Sequence, residues 1–352
     1  MKTYKHLYAQ IATFENLLRA FDKAKRHKRM NAYVAAFELD LEHHLLELER
    51  ELQNETYTPG AYHNFNIHEP KERLVSAAPF RDRIVHHALC NVIEPIWEAR
   101  FIHDSYACRK HKGMHRALAR ASEWAKQYRY ALKCDITKFF PSIDHAVLLD
   151  ILRGKIADTR ALALIAKILA SGEGILAREY AMHWFPGDDL FAVNRARGLP
   201  IGNLTSQFWA NVYLNELDQF VKRELKCPAY LRYADDFLVF GDDKPALWAQ
   251  FAAIQKFLGR LRLTTHPRKS TVMATRQGVA WLGFRVFPKQ FSSLRPVLFA
   301  SDRQCVALYR ARAEVGGENT DPRSGAENFS AESCSVLRPV VTRQRATLGA
   351  GH

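Results

Sequence analysis

Two adjacent aspartates interrupt an otherwise apolar, β-favouring run, Tyr230-Leu231-Arg232-Tyr233-Ala234-Asp235-Asp236-Phe237-Leu238-Val239-Phe240. The pattern predicts a β-hairpin with two carboxylates at its turn. One hundred residues earlier, Tyr130-Ala131-Leu132-Lys133-Cys134-Asp135-Ile136 predicts a further short strand with an acid at its end. An acidic pair at a turn is weak by itself, because aspartates favour turns for local hydrogen-bonding reasons. Three carboxylates on adjacent strands constrain far more. They supply the oxygen ligands that two hard Mg²⁺ ions need, and metals about 3.5–4 Å apart can activate an attacking hydroxyl while stabilising a leaving group.

The rest of the chain alternates helical and strand patterns. Ile11, Phe14, Leu17, Leu18 and Phe21 recur at helical spacing, as do Phe37, Leu41, Leu45, Leu48 and Leu52, so two helices are expected to open the chain. Between them lies Lys23-Ala24-Lys25-Arg26-His27-Lys28-Arg29, either a phosphate-contacting run or a solvated helix end. Residues 57–76 interleave Tyr, Phe, Ile and Val with Pro59, Gly60 and Pro70, which predicts short strands and turns. Helices are expected over 82–98, 114–128, 145–153, 159–171, 206–225 and 245–261, and strands over 271–287. Residues 172–198 are loop-like, an insertion between more regular elements.

Composition narrows the class. Lys and Arg number 51 against 37 Asp and Glu, a net charge of +14 that favours nucleic acid as a partner without proving it. With 47% hydrophobic residues, a fibrous or wholly disordered chain is excluded. The six cysteines include no C-x-x-C pair, which argues against a zinc knuckle or a disulfide framework and for reduced, mostly buried thiols. No stretch approaches about eighteen apolar residues and no apolar signal core follows Met1, so a cytoplasmic protein without membrane association is expected. Residues 290–352 contain no lysine, against 19 in the preceding 289 residues, and their periodicity fades. That segment reads either as a disordered tail or as the product of an altered reading frame that has replaced a helical end.

The ordered stretches Lys133-Cys134-Asp135-Ile136-Thr137-Lys138-Phe139-Phe140-Pro141-Ser142-Ile143-Asp144, Leu199-Pro200-Ile201-Gly202-Asn203-Leu204-Thr205-Ser206-Gln207 and Tyr233-Ala234-Asp235-Asp236 resemble the motifs of reverse transcriptases. Further matches are Glu69-Pro70-Lys71-Glu72-Arg73, Arg81-Asp82-Arg83-Ile84-Val85, Leu263 to Lys269 and Trp281-Leu282-Gly283-Phe284, so the resemblance covers about residues 1–290. Most of that family resembles Pro-Gln-Gly followed by Ser-Pro where this chain has Pro200-Ile201-Gly202 and Ser206-Gln207. In this the chain is most similar to the reverse transcriptases of diversity-generating retroelements, bacterial and phage systems that copy a template repeat RNA into mutagenised cDNA. Group II intron-like and anti-phage defence reverse transcriptases are the alternatives, together with an inactive RNA-binding remnant that lacks a thumb.

The resemblance implies an α/β (α+β) right-hand polymerase. Its parts would be an N-terminal helical extension over 1–56, fingers over 57–130, a palm over 131–289 with a finger-side insertion near 150–198, and an atypical tail over 290–352 in place of the thumb. It implies an RNA-directed DNA polymerase in which Asp135, Asp235, Asp236 and the Ile136 carbonyl hold two Mg²⁺ ions, with Mn²⁺ as a substitute. Lys71 and Arg73 would neutralise the triphosphate. Phe140 would be the steric gate that excludes a ribose 2′-hydroxyl, its other reading being a core aromatic beside Phe139. Ile201, Gly202 and Gln207 would lie beside the incoming dNTP, and the lost amide at Ile201 implies low fidelity, especially opposite template adenine. Lys269 would be a general acid near the departing pyrophosphate or else a solvated turn lysine. Arg81, Arg83, Tyr233 and Gly283 would touch template or primer, although Arg81 and Arg83 are also explained as exposed arginines on a helix capped by Asp82. His86 and His87 point in different directions from one helix and are assigned to packing or solvent rather than metal. The implied partners are a template RNA, a primer or cDNA, dNTPs and a small basic accessory variability determinant protein.

Overall fold

Thr13 breaks the first helical pattern: its hydroxyl accepts the Asn16 N–H and so caps a new helix. In the computed structural model, which describes residues 3–28, 30–68, 72–288 and 290–293, the expected pair of N-terminal helices is therefore four. These are α1 (Leu7–Ile11), α2 (Phe14–Ala24), α3 (Ala32–Leu39) and α4 (Leu41–Gln53), the second pattern dividing at Asp40. Two lysines of the basic run at the end of α2 are drawn into the fold, Lys25 pairing with Glu38 at 3.1 Å and Asp22 at 3.2 Å and Lys28 being buried, while Lys23, Arg26 and His27 stay exposed.

β1 (His63–Ile67) and β2 (Arg73–Ala77) form an antiparallel pair in which Phe65 faces Val75. α5 (Phe80–Glu98) and α6 (Met114–Gln127) lead to β3 (Tyr130–Asp135). Next come α7 (Phe139–Ser142), a single turn too short to show a period, and α8 (His145–Arg153) and α9 (Thr159–Ser171), each started by an aspartate cap, Asp144 and Asp158. α10 (Leu204–Gln219) ends in a wider turn over Phe220–Glu224. It is followed by the hairpin β4 (Tyr230–Tyr233) and β5 (Asp236–Gly241), α11 (Lys244–Arg260), β6 (Thr271–Ala274), β7 (Val279–Trp281), β8 (Phe284–Val286) and β9 (Phe291–Ser293).

The central sheet is antiparallel throughout, in the order β4-β5-β3-β6. Its faces alternate between two cores. Leu132, Cys134, Tyr230, Phe237 and Val239 join the helices in the larger one. Ala131, Leu231, Leu238 and Phe240 join Trp124 of α6 and Trp281 of β7 in the smaller. A strand buried on both faces has no polar side, which is why Phe237 to Phe240 is apolar without interruption. The strands expected over 271–287 are interrupted by a two-residue turn between β7 and β8, where Leu282 and Gly283 take φ 49° and 79°. Positive φ at both positions matches the twist of the flanking strands.

The loop-like insertion holds short 3₁₀ turns at Ala177–Glu179 and Leu190–Asn194. Ion pairs pin it. Arg195 lies 2.6 Å from Asp144, and Arg262 bridges Asp144 at 3.3 Å and Asp188 at 2.6 Å. Among the described residues no helix is long and apolar enough to cross a membrane. Cys90, Cys134 and Cys227 are buried free thiols and Cys108 is exposed. Beyond Ser293 the expected tail lies outside the described residues, as does Lys71.

Candidate active site

The register of β3 on β5 sets Asp135 opposite Asp236, and Tyr233 pairs with Asp236 across the hairpin. The turn Ala234–Asp235 thus brings a third carboxylate to the same end of the sheet. Ala234 adopts a left-handed φ of 54°, a conformation that favours glycine. Arg232 holds it there. This arginine is fully buried, and its Nη1 donates to the Ala234 carbonyl at 3.0 Å and to Asn211 Oδ1 at 3.1 Å. Its Nε and Nη2 bind Asp218 at 2.8 and 2.7 Å, and Nη2 reaches Ser105 Oγ at 3.2 Å. Those bonds use all five guanidinium N–H groups, and the Tyr230 hydroxyl adds a bond to Asp218 at 2.7 Å.

The acidic end is electrostatically crowded. Burial and the charge of Asp135 raise the pKa of Asp235, opposed by Arg73 and Lys269. Burial and Asp235 raise that of Asp236, opposed by Lys133. The loop after α11 wraps Asp135: its carbonyl accepts the His266 N–H at 2.7 Å, and Lys269 Nζ lies 2.5 Å from its Oδ2. Among the described residues no three acid, histidine or cysteine side chains converge closely enough to hold a metal ion. The donor set nonetheless fits a hard divalent cation. Crowded carboxylates with raised pKa values are the groups such an ion relieves, and all donors are oxygen. Asp135, Asp235 and Asp236 are the candidate ligands, with the carbonyl of Ile136, which is buried and bridges Thr265.

Arg73 opens β2, half-buried, and its charge reaches Asp235. Phe139 is buried in the larger core while Phe140 beside it is half-buried. Ile201 and Gly202 lie half-buried in the loop before α10, and Gln207 half-buried in that helix's first turn. Tyr233 packs partly buried against the smaller core, and Gly283 forms the β7–β8 turn. Arg81 and Arg83 are not free helix arginines. Arg81 pairs with Glu51 and stacks over the Tyr57 ring, and Arg83 donates to the Ala78 carbonyl at 2.7 Å. Nor does Asp82 cap α5, whose N-cap is Pro79. It is buried and accepts the Tyr57 hydroxyl and the Gly60 N–H, both at 2.8 Å. His86 and His87 are buried in α5, and desolvation together with Arg83 pushes His86 down to about 3. Sequence reasoning missed Arg232, although the signal was present, since an arginine inside an apolar strand must find a buried partner.

The reverse transcriptase (RNA-dependent DNA polymerase) family profile matches residues 66–286. Protein YkfC of Escherichia coli (strain K12) is 25% identical over 322 residues, which cover 79% of this chain and 75% of YkfC. The group II intron-encoded protein LtrA of Lactococcus lactis subsp. cremoris is 29% identical over 173 residues, 48% of this chain and 27% of LtrA, so the chain spans about a quarter of that relative. A telomerase from Candida tropicalis, truncated from its C-terminal domain, covers 68% of this chain and 55% of its own at 10% identity and a TM-score of 0.47, too remote to bear on function. With a family match over more than half its length, and with the motif carboxylates gathered at one end of the antiparallel sheet, the chain belongs to the reverse transcriptase family.

Proposed function

We propose that this chain is an RNA-directed DNA polymerase that joins a primer 3′-hydroxyl to the α-phosphate of a dNTP on an RNA template and releases pyrophosphate. The observation that carries the reading is the meeting of Asp135, Asp235 and Asp236 at one sheet end in a member of this family. Residues 57–130 act as fingers, 131–289 as palm and 1–56 as an N-terminal extension. Two Mg²⁺ ions held by these aspartates and the Ile136 carbonyl would supply the Lewis acidity that hydroxyl and pyrophosphate require. The protein's own share is positioning. Strand register fixes the carboxylates, Arg232 fixes the turn, and Arg73, with Lys71, meets the triphosphate. Phe140 gates the ribose while Phe139 fills the core. Lys269 leaves Asp135 to hand a proton to the pyrophosphate.

The isoleucine at 201 supports a diversity-generating retroelement enzyme, error-prone opposite adenine and working with a structured template RNA and an accessory variability determinant. The likeness to LtrA favours a second reading, a group II intron-like enzyme. Primer extension on an RNA template with Mg²⁺ tests the activity. Extension with dNTPs should vanish in Asp235→Asn, and Phe140→Ala should admit rNTPs. No extension by the unaltered protein, with RNA binding intact, would turn the reading to an inactive scaffold. Ile201→Gln separates the two subtypes: fewer errors opposite adenine support the retroelement reading, and an unchanged error rate favours the intron one.

A further inference from the structure

Asn203 stands where a helix cap belongs and does not cap. It is the N-cap residue of α10, with φ −105° and ψ 146°, and asparagine there ordinarily accepts an N–H of the first turn. Its side chain makes no such bond. Instead the carboxamide reaches β2, more than a hundred residues earlier. Nδ2 donates to the Ser76 carbonyl at 2.9 Å and to the Pro200 carbonyl at 3.3 Å, while Oδ1 accepts the Ala78 N–H at 3.2 Å. Two residues before Asn203, the Ile201 carbonyl accepts the Ser76 N–H at 2.8 Å.

A carboxamide offers a donor and an acceptor side by side, as a peptide group does. Asn203 therefore extends the ladder that the Ile201 carbonyl begins, and the loop is sewn by three bonds, two to Ser76 of β2 and one to Ala78 just beyond it. All of this is dry, with Asn203 at 4% exposure and Ser76 at 0%. Gly202 completes the seam. At φ +113° it lies so close that a Cβ would meet Val75 Cγ1 at 2.8 Å and the Ser76 carbonyl oxygen at 3.4 Å. The same strand begins with Arg73, whose charge reaches Asp235.

From this geometry we infer that Asn203 is a positioning residue for nucleotide selection, an inference that rests on the polymerase reading. It locks the Ile201–Gly202 loop to β2, so the loop and Arg73 approach the incoming dNTP as one unit. Serine is the informative substitution, because it caps helices well yet is too short to reach β2. Asn203→Ser should lower the melting temperature by only a few degrees, because the regained cap offsets part of the cost of leaving the Ser76 carbonyl and the Ala78 amide without their partner, while the Ala78 amide exchanges hydrogen faster. In single-nucleotide incorporation on an RNA template, KM for the matched dNTP should rise about tenfold, with a smaller change in kcat and an altered ratio of matched to mismatched insertion. Asn203→Asp, which keeps the acceptor for the Ala78 N–H and loses the donor to the Ser76 carbonyl, should show the same kinetic pattern without the faster Ala78 exchange. Faster Ala78 exchange with unchanged KM and mismatch ratio would make the seam structural only and overturn the inference while leaving the polymerase reading standing. Failure of the unaltered protein to extend a primer would overturn that reading and this inference with it.

Discussion

Asp235 and Asp236 ionise less readily in the fold than free carboxylates do, for burial disfavours charge in both, and so does the neighbouring carboxylate, Asp135 for Asp235 and Asp235 for Asp236. A carboxylate whose folded pKa is raised detracts from stability above that pKa, and the fold regains the difference as pH falls through it toward the ordinary carboxylate range. Asp236→Asn, measured in chelator at pH 8, should therefore melt about 2–4 °C above the parent, and the gap should narrow at pH 5. A variant that melts lower at pH 8 would refute the crowding. Lys269 acts on the same balance by meeting the charge of Asp135. Lys269→Met should bind Mg²⁺ more tightly by titration calorimetry yet extend primers more slowly; weaker Mg²⁺ binding would show that the lysine does not compete for that carboxylate.

At the scale of the hairpin, the fully buried Arg232–Asp218 pair sets how firmly the acidic turn is held. Arg232→Met strands a buried carboxylate, and chemical denaturation should show a loss of about 3–5 kcal/mol, partly recovered by adding Asp218→Leu. An intact stability in the single variant would contradict the network. Ala234→Val should destabilise the turn and Ala234→Gly should not, since a β-branched residue resists a positive φ. Helices and strands were legible here because their signals are local: the apolar periods of α5, α6, α9 and α11, and the motif order that singled out the three aspartates. What was not legible is long in sequence separation. Nothing near Asn203 announces Ser76, nothing near Lys269 announces Asp135, and Asp82 looked like a cap until Tyr57 and Gly60 claimed it. The break at Thr13 was local but masked, because a capped restart keeps apolar residues at helical spacing.

Across the whole molecule, the insertion is tied down by the Asp144, Arg195, Arg262 and Asp188 chain. Hydrogen bonds from Arg262 hold Asp188 down to about 2, so this pairing is present at neutral pH and is lost only as pH falls through that low value. Arg262→Ala should speed limited proteolysis within residues 172–198, where Trp184, Leu190 and Phe191 are already exposed, with little change in global melting. Unchanged cleavage would mean that the ion pairs do not restrain the segment. The central sheet has a different consequence. Since Phe237 and Val239 belong to one core and Leu238 and Phe240 to the other, the strand that carries Asp236 is a party wall. Subsidence on either side reaches the carboxylates, so a heat-sensitive lesion in either core would silence the enzyme at the temperature where it begins to loosen, and no half of the protein could serve as a sacrificial buffer for the other.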